Sequence, residues 1–160
     1  MRNLAFWTVV GVALVAANGS VFAASLVPTD QHFKVRGGIT VYGPNLRQGC
    51  PAIWGGRVDK NGVAKIEAAN FGYNGFCQHF RFAGLPWGFK ATGVGRVKIS
   101  GVSFTVPGIV CGPSTINGRL SSGGEITFHA ALAGDHCYVG TDGGSVGIGM
   151  QTYPPITTVP

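Results

Sequence analysis

The sequence predicts an all-β fold, an antiparallel β-sandwich or barrel with an internal duplication, stabilised by two disulfides. Three observations carry that prediction. Apolar and polar residues alternate at period two in short runs bounded by glycine-containing turns. A cysteine-bounded unit of similar pattern occurs twice. Charged residues make up only 11% of the chain and glycine fills 27 of its 160 positions, against about 25% and about 7% in an average soluble domain. That many glycines disfavour helices and suit short strands joined by tight turns.

From the N-terminus, residues 1–23 read as a secretory signal. Arg2 supplies the positive start, Leu4 to Ala17 is an uncharged and mostly apolar run, and Val21-Phe22-Ala23 places small residues where a signal peptidase inspects them, with cleavage after Ala23. The run is shorter than the roughly 20 apolar residues of a membrane span, so no transmembrane segment is expected in the mature chain. No cysteine follows the cleavage site and Arg2 stands alone, which argues against a lipoprotein anchor and a twin-arginine signal. The predicted destination is secreted: extracellular or cell surface. Export gives meaning to Cys50, Cys77, Cys111 and Cys137, because an even cysteine number in an oxidising compartment implies disulfides. Zinc would need close C-x-x-C pairs, and the sequence has none.

Residues 24–150 then read as a single β domain made of two related units, about 33–88 and 89–150. Phe33, Val35, Ile39 and Val41 alternate with Lys34, Arg36 and Thr40. In the first unit, Gly56-Arg57-Val58 leads to the turn Asp59-Lys60-Asn61-Gly62, after which Ala64, Ile66 and Ala68 are expected on one face and Lys65 and Glu67 on the other. Phe80 and Phe82 flank Arg81 before Gly84-Leu85-Pro86-Trp87 breaks the strand. Val97 and Ile99 alternate with Arg96 and Lys98, but Val102, Phe104 and Val106 continue in the opposite phase, which places a β-bulge at Ser100-Gly101. The second unit repeats the first: Gly118-Arg119-Leu120, a turn at Ser121-Ser122-Gly123-Gly124, then Ile126, Phe128, Ala130 and Leu132 against Thr127 and His129. About eight strands with frequent turns suit a sandwich or barrel.

Treating the two units alike pairs Cys50 with Cys77 and Cys111 with Cys137, tying the entry of each hairpin to its exit. In the chain-entropy model such loops stabilise by about 3–4 kcal/mol each. The final stretch, residues 151–160 (QTYPPITTVP), carries three prolines and no charge. It is expected to stay outside the sheet, as a flexible end or as an extended segment presented to a partner.

Nothing in the sequence resembles a catalytic centre. The cysteines are committed to disulfides, the serines sit in Gly/Ser turns without a nucleophile elbow, and Asp30, Asp59, Asp135 and Asp142 read as turn residues, leaving Glu67 and Glu125 on strands. His32, His79, His129 and His136 read as exposed polar residues rather than metal ligands, since His129 takes the repeat position that Glu67 fills in the first unit. The glycine pairs Gly37-Gly38 and Gly143-Gly144 lack a phosphate-loop lysine. No cofactor or metal is therefore expected. The aromatic residues Trp54, Tyr73, Phe76, Trp87 and Phe89 read mainly as core, Trp87 as a plug beside Pro86, with a platform for sugar rings or alkyl chains as the alternative.

The charge is more informative. The formal net charge is +6, and Lys34, Arg36, Arg57, Lys65, Arg81, Lys90, Arg96, Lys98 and Arg119 are expected on outward strand positions. Such a surface attracts acidic polymers diffusely. No motif for reading nucleic-acid sequence is present.

From Cys77 onward the sequence resembles the PraB family, the secreted "activator of alkane oxidation" proteins. The resemblance rests on Cys77, Gly84-Leu85-Pro86-Trp87, Ile99-Ser100-Gly101-Val102, Cys111-Gly112-Pro113-Ser114 and the closing Cys137, and extends over roughly Phe33 to Ile148. It implies an exported protein without known catalytic residues, associated with growth on hydrocarbons and with cell surfaces or biofilm matrix. Low charge density and exposed sheet edges further suggest self-association into an oligomer or fibre, with residues Ala24 to Val35 available as a donated strand. The alternative is a monomeric binding module for acidic polysaccharide or a hydrophobic ligand.

Overall fold

Strands dominate the computed structural model of the chain, which describes residues 23–43, 45–73, 75–134, 136–141 and 149–160. Apart from Ala23, the signal reading of residues 1–23 lies outside the described residues, as do Asp135, Asp142 and the Gly143-Gly144 pair. In chain order the strands are β1 (Ser25–Val27), β2 (Gln31–Gly43), β3 (Leu46–Val58), β4 (Val63–Phe71), β5 (Arg81–Ala83), β6 (Trp87–Gly93), β7 (Arg96–Val106), β8 (Ile109–Leu120), β9 (Glu125–Ala131), β10 (Tyr138–Gly140), β11 (Met150–Tyr153) and β12 (Thr157–Val159). A 3-10 turn, Gly75–His79, precedes β5, and no α-helix occurs among the described residues.

Every pairing is antiparallel. Strands β2, β11, β9, β8, β7, β6, β4 and β3 are successive neighbours, and β3 pairs back onto β2 from Gln31↔Val58 to Gly43↔Leu46. The sheet thus closes into an eight-strand barrel. Strands β10 and β11 occupy successive stretches between β2 and β9: Val139 faces Val41 and Ala130, while Thr152 faces Val35 and Met150 faces Ile126. Strand β5 adds to β7 beside β6. Strands β1 and β12 form a separate ribbon with Leu26 opposite Thr158.

The period-two pattern sends Phe33, Val35, Ile39, Val41, Ile66, Phe89, Val97, Ile99, Ile116 and Ile126 to the barrel interior, where all are almost fully buried. Each such side chain contributes about 1.5–3 kcal/mol relative to exposure. Aromatic rings fill the interior. Trp54 meets Trp87 edge-on at 5.8 Å and stacks on Phe128 at 6.1 Å, and Phe71 stacks on Phe82 at 3.9 Å.

The two cysteine-bounded units share their local geometry. In the β3–β4 turn the Asp59 N–H donates to the Val63 carbonyl and Gly62 N–H to the Asp59 carbonyl; in the β8–β9 turn Ser121 N–H donates to the Glu125 carbonyl and Gly124 N–H to the Ser121 carbonyl. The Asp59 carboxylate accepts from the Asn61 and Val63 amides as the Ser121 hydroxyl accepts from the Glu125 amide. Gly62 and Gly124 both have left-handed φ, +73° and +87°, which other residues rarely adopt. Before each turn a glycine lets two strands approach closely: a Cβ on Gly56 would strike the Lys65 carbonyl, and one on Gly118 would sit 2.9 Å from the Thr127 carbonyl. Disulfides join Cys50 to Cys77 and Cys111 to Cys137, each with Cα atoms 5.7 Å apart, within the usual span of a disulfide.

The bulge at Ser100-Gly101 is present: Ser100 faces Thr115 and Val102 faces Ser114, leaving Gly101 extra. A second irregularity lies beside it, where Gly112 and Pro113 bulge opposite Ser103, whose buried hydroxyl donates to the Cys111 carbonyl at 3.0 Å. In β4 the expected alternation needs correction. Gly55 faces Ala68 and Gly56 faces Ile66, so Glu67 is an extra residue and the pleat shifts by one. Ala68 consequently faces outward and Ala69 takes the buried place.

The expectation for residues 151–160 is also corrected: they are not a free tail. They complete β11 and form β12, and Pro154 and Pro155 fall in the bend between the two, where no ladder donor is required. Ile156 is buried and its N–H donates to the Thr152 hydroxyl at 2.9 Å. Gly95 N–H donates to the Thr158 hydroxyl at 2.6 Å, and Leu26 N–H to the Gly62 carbonyl at 2.9 Å. The β1–β12 ribbon therefore lies across the barrel end that carries the turns at Gly62 and Gly95, with Leu26 and Ile156 as its apolar contacts. This placement also uses the residues considered for donation to a neighbour, since β1 and β2 pair within their own chain. Closure pairs β2 with β3 along their whole length, while ladder pairing stays one-sided in β1, β5 and β12 and over residues 46–51 of β3 and 109–117 of β8.

Candidate polyanion-binding face

The barrel exterior is where the cations stand. Lys34, Arg36, Arg57, Lys65, Arg81, Lys90, Arg96 and Arg119 are exposed, and Lys98 is half-buried. Strand register brings six of them together. Arg57 on β3 lies opposite Lys65 on β4, Lys90 on β6 opposite Lys98 on β7, and Arg96 on β7 opposite Arg119 on β8. Strands β4 and β6 are themselves neighbours, with Lys65 facing Gly88 and Val63 facing Lys90, so the pairs form one diagonal band over β3, β4, β6, β7 and β8. Like charges directly opposite each other destabilise a strand pair. Among the described residues only Arg57 is relieved, by an ion pair with Asp30. Arg81 lies outside the band, its guanidinium donating to the Gln78 and Phe80 carbonyls.

At its β7–β8 end the band opens into a groove of about 700 Å³, bordered by Thr92, Arg96, Asn117, Arg119, Thr127 and His129. The His129 ring lies 6.1 Å from that of Tyr42. Neither Arg96 nor Arg119 has an ion-pair partner among the described residues. Guanidinium groups present planar forks that match carboxylate and phosphate oxygens, and the threonine and asparagine side chains beside them can both donate and accept. The cations were legible in the sequence as outward residues, as was Thr127, but Thr92 and Asn117 were not singled out. Their only sequence signal is an outward strand position, shared with many residues that line no groove.

The other candidates are dispersed. His32 is on β2, His79 in the 3-10 turn against the Phe76 ring, His129 on β9 and His136 before β10. No group of three His, Cys, Asp or Glu residues converges among the described residues. Glu67 is exposed at the β4 bulge, and Asp30 and Asp59 serve the ion pair and the turn already described. Of the aromatic set, Trp54, Trp87 and Phe89 are core, while Tyr73 and Phe76 are exposed around the 3-10 turn. Trp87 is the plug anticipated beside Pro86, its indole N–H donating to the Ala83 carbonyl at 2.8 Å.

No helix among the described residues is long and apolar enough to cross a membrane. Compared with known proteins, the chain matches over residues 1–160 the family described as "Alkane oxidation protein activator PraA/PraB-like". No curated protein and no solved structure matches it.

Proposed function

This chain belongs to the alkane oxidation protein activator PraA/PraB-like family, and from that premise we propose that it is an exported, non-catalytic surface or matrix protein that adheres to anionic polymers through its barrel exterior. The observation that carries this reading is the band of three like-charged cross-strand pairs. A fold gains nothing from placing cations opposite each other, whereas a polyanion lying along the band relieves the two pairs that have no anion of their own and adds to the Asp30 contact at the third. The filled aromatic interior directs any partner to the outside of the barrel. Two disulfides behind an export-like leader suit an oxidising compartment. A second reading, contact with hydrophobic interfaces during hydrocarbon growth, is supported by the exposure of Tyr73 and Phe76.

Retention of the purified protein on immobilised polygalacturonate, compared with neutral agarose, tests the proposal. Retention is expected on the acidic polymer alone, lost as salt rises towards about 1 M, where the screening length falls to about 3 Å. Equal retention on both supports, or indifference to salt, would refute polyanion adhesion.

A further inference from the structure

We propose that the groove at β7, β8 and β9 is a binding site for a sugar bearing an anionic group, a carboxylate or a phosphate, with Arg96 and Arg119 as the clamp on that group. The inference rests on the polyanion reading above and assigns to it a defined site.

The molecule contains its own control. Arg57 and Arg119 hold matching places, each following a close-approach glycine and leading into a turn of the same design. Each also faces a strand residue two positions before a matching side chain: Arg57 faces Lys65, two before Glu67, and Arg119 faces Thr127, two before His129. Around Arg57 the chain supplies anions: Asp30, just ahead of the first unit, pairs with Arg57, and Glu67 lies further along β4. Around Arg119 no carboxylate forms an ion pair among the described residues: Glu125 of β9 stands at the turn, where its carbonyl accepts from Ser121 N–H, and the place of Glu67 is taken by His129. Arg119 instead faces a second arginine, Arg96. Side chains directly opposite on adjacent strands start about 4.5–5.5 Å apart at Cβ, close enough for both guanidiniums to reach one carboxylate or phosphate.

The surroundings of the clamp suit a sugar. Thr92, Asn117 and Thr127 border the same groove and offer donors and acceptors to ring hydroxyls. A single-stranded nucleic acid would call for a series of exposed rings on which successive bases stack; of the two rings bordering the groove, Phe128 is buried at 6% exposure and the His129 imidazole alone is exposed.

Calorimetric titration of the purified protein decides the matter, with oligogalacturonate as the carboxylate arm and a phosphorylated mannose oligosaccharide as the phosphate arm. A neutral galactose oligomer and single-stranded DNA serve as comparisons. Binding of one or both charged oligosaccharides is expected. It should weaken by about tenfold or more in the double variant Arg96→Gln/Arg119→Gln, and by no more than about twofold in Arg57→Gln, whose surface ion pair is worth little. Thr127→Val should weaken the charged oligosaccharides while leaving binding of free inorganic phosphate unchanged. The melting temperature of the double variant should not fall, since a repulsion is removed, so lost binding is not lost folding. No binding of either charged oligosaccharide, an unaffected double variant, equal loss in Arg57→Gln, or tighter binding of DNA than of both sugars would each overturn the site. If the double variant binds normally while polygalacturonate retention persists, the site fails and the adhesion proposal stands; if the wild type is not retained at all, both fall.

Discussion

Trp54 and Trp87 meet edge-on at 5.8 Å inside the barrel, yet only one of the two indole N–H groups has a partner among the described residues. Trp87 donates to the Ala83 carbonyl, whereas the Trp54 nitrogen is buried with no acceptor among those residues. A buried unsatisfied donor costs about 1–3 kcal/mol. Trp54→Phe removes that donor as well as part of a ring, while Trp87→Phe removes a made hydrogen bond and leaves the Ala83 carbonyl short of a donor. Trp54→Phe should therefore destabilise by at least about 1 kcal/mol less than Trp87→Phe. Urea unfolding of the two variants provides the comparison, and an equal or reversed ranking would contradict it.

Each disulfide closes one unit, with separations of 27 and 26 residues. Loops of such similar size predict similar contributions, about 3–4 kcal/mol each in the chain-entropy model. Cys50→Ala/Cys77→Ala and Cys111→Ala/Cys137→Ala should each lower unfolding free energy by that order. Peptide mapping without reduction should find only the two local bridges.

Ile156 and Leu26 are buried at 1% and 0% exposure although both lie near the ends of the described chain. Ile156→Ala should cost about 2–5 kcal/mol, as for other buried large-to-small changes. A free C-terminal tail would make this substitution silent, so thermal melting separates the two arrangements sharply.

Arg119→Glu would convert the repulsive pair with Arg96 into an attractive one. Stability should rise by about 0.2–1 kcal/mol, the scale of opposite-charge cross-strand pairs, while binding of acidic oligosaccharide at the groove is lost. A gain in melting temperature together with lost binding is the expected signature. A destabilised variant would show that the arginines do not face each other as described.

Much of this architecture could be read along the chain because it is encoded locally. Glycine turns at Gly62 and Gly124, alternation in β2 and β7, the phase slip at Gly101 and the cysteine spacing each depend on a few neighbouring residues. Two misreadings share a different cause. Ala68 was expected inside because its own strand alternates regularly, but the bulge that turns it outward arises where β3 closes on β4 at Gly56. The tail was expected outside because proline disrupts a ladder, yet Pro154 and Pro155 fall in a bend, and burial of Ile156 over the barrel end holds the segments on either side.

By itself, then, the sequence determined the element type, the turns, the half-buried character of the strands and the local pairing of cysteines. All of these follow from backbone preferences and period-two burial acting over short distances. Only the tertiary structure decided between sandwich and barrel, through the long β2–β3 pairing that closes the sheet. Only the tertiary structure, too, set Arg96 against Arg119 and left the pair without an anion among the described residues. Register across strands depends on bulges and on closure of the whole sheet, so residues far apart in sequence become a site only when the barrel is complete.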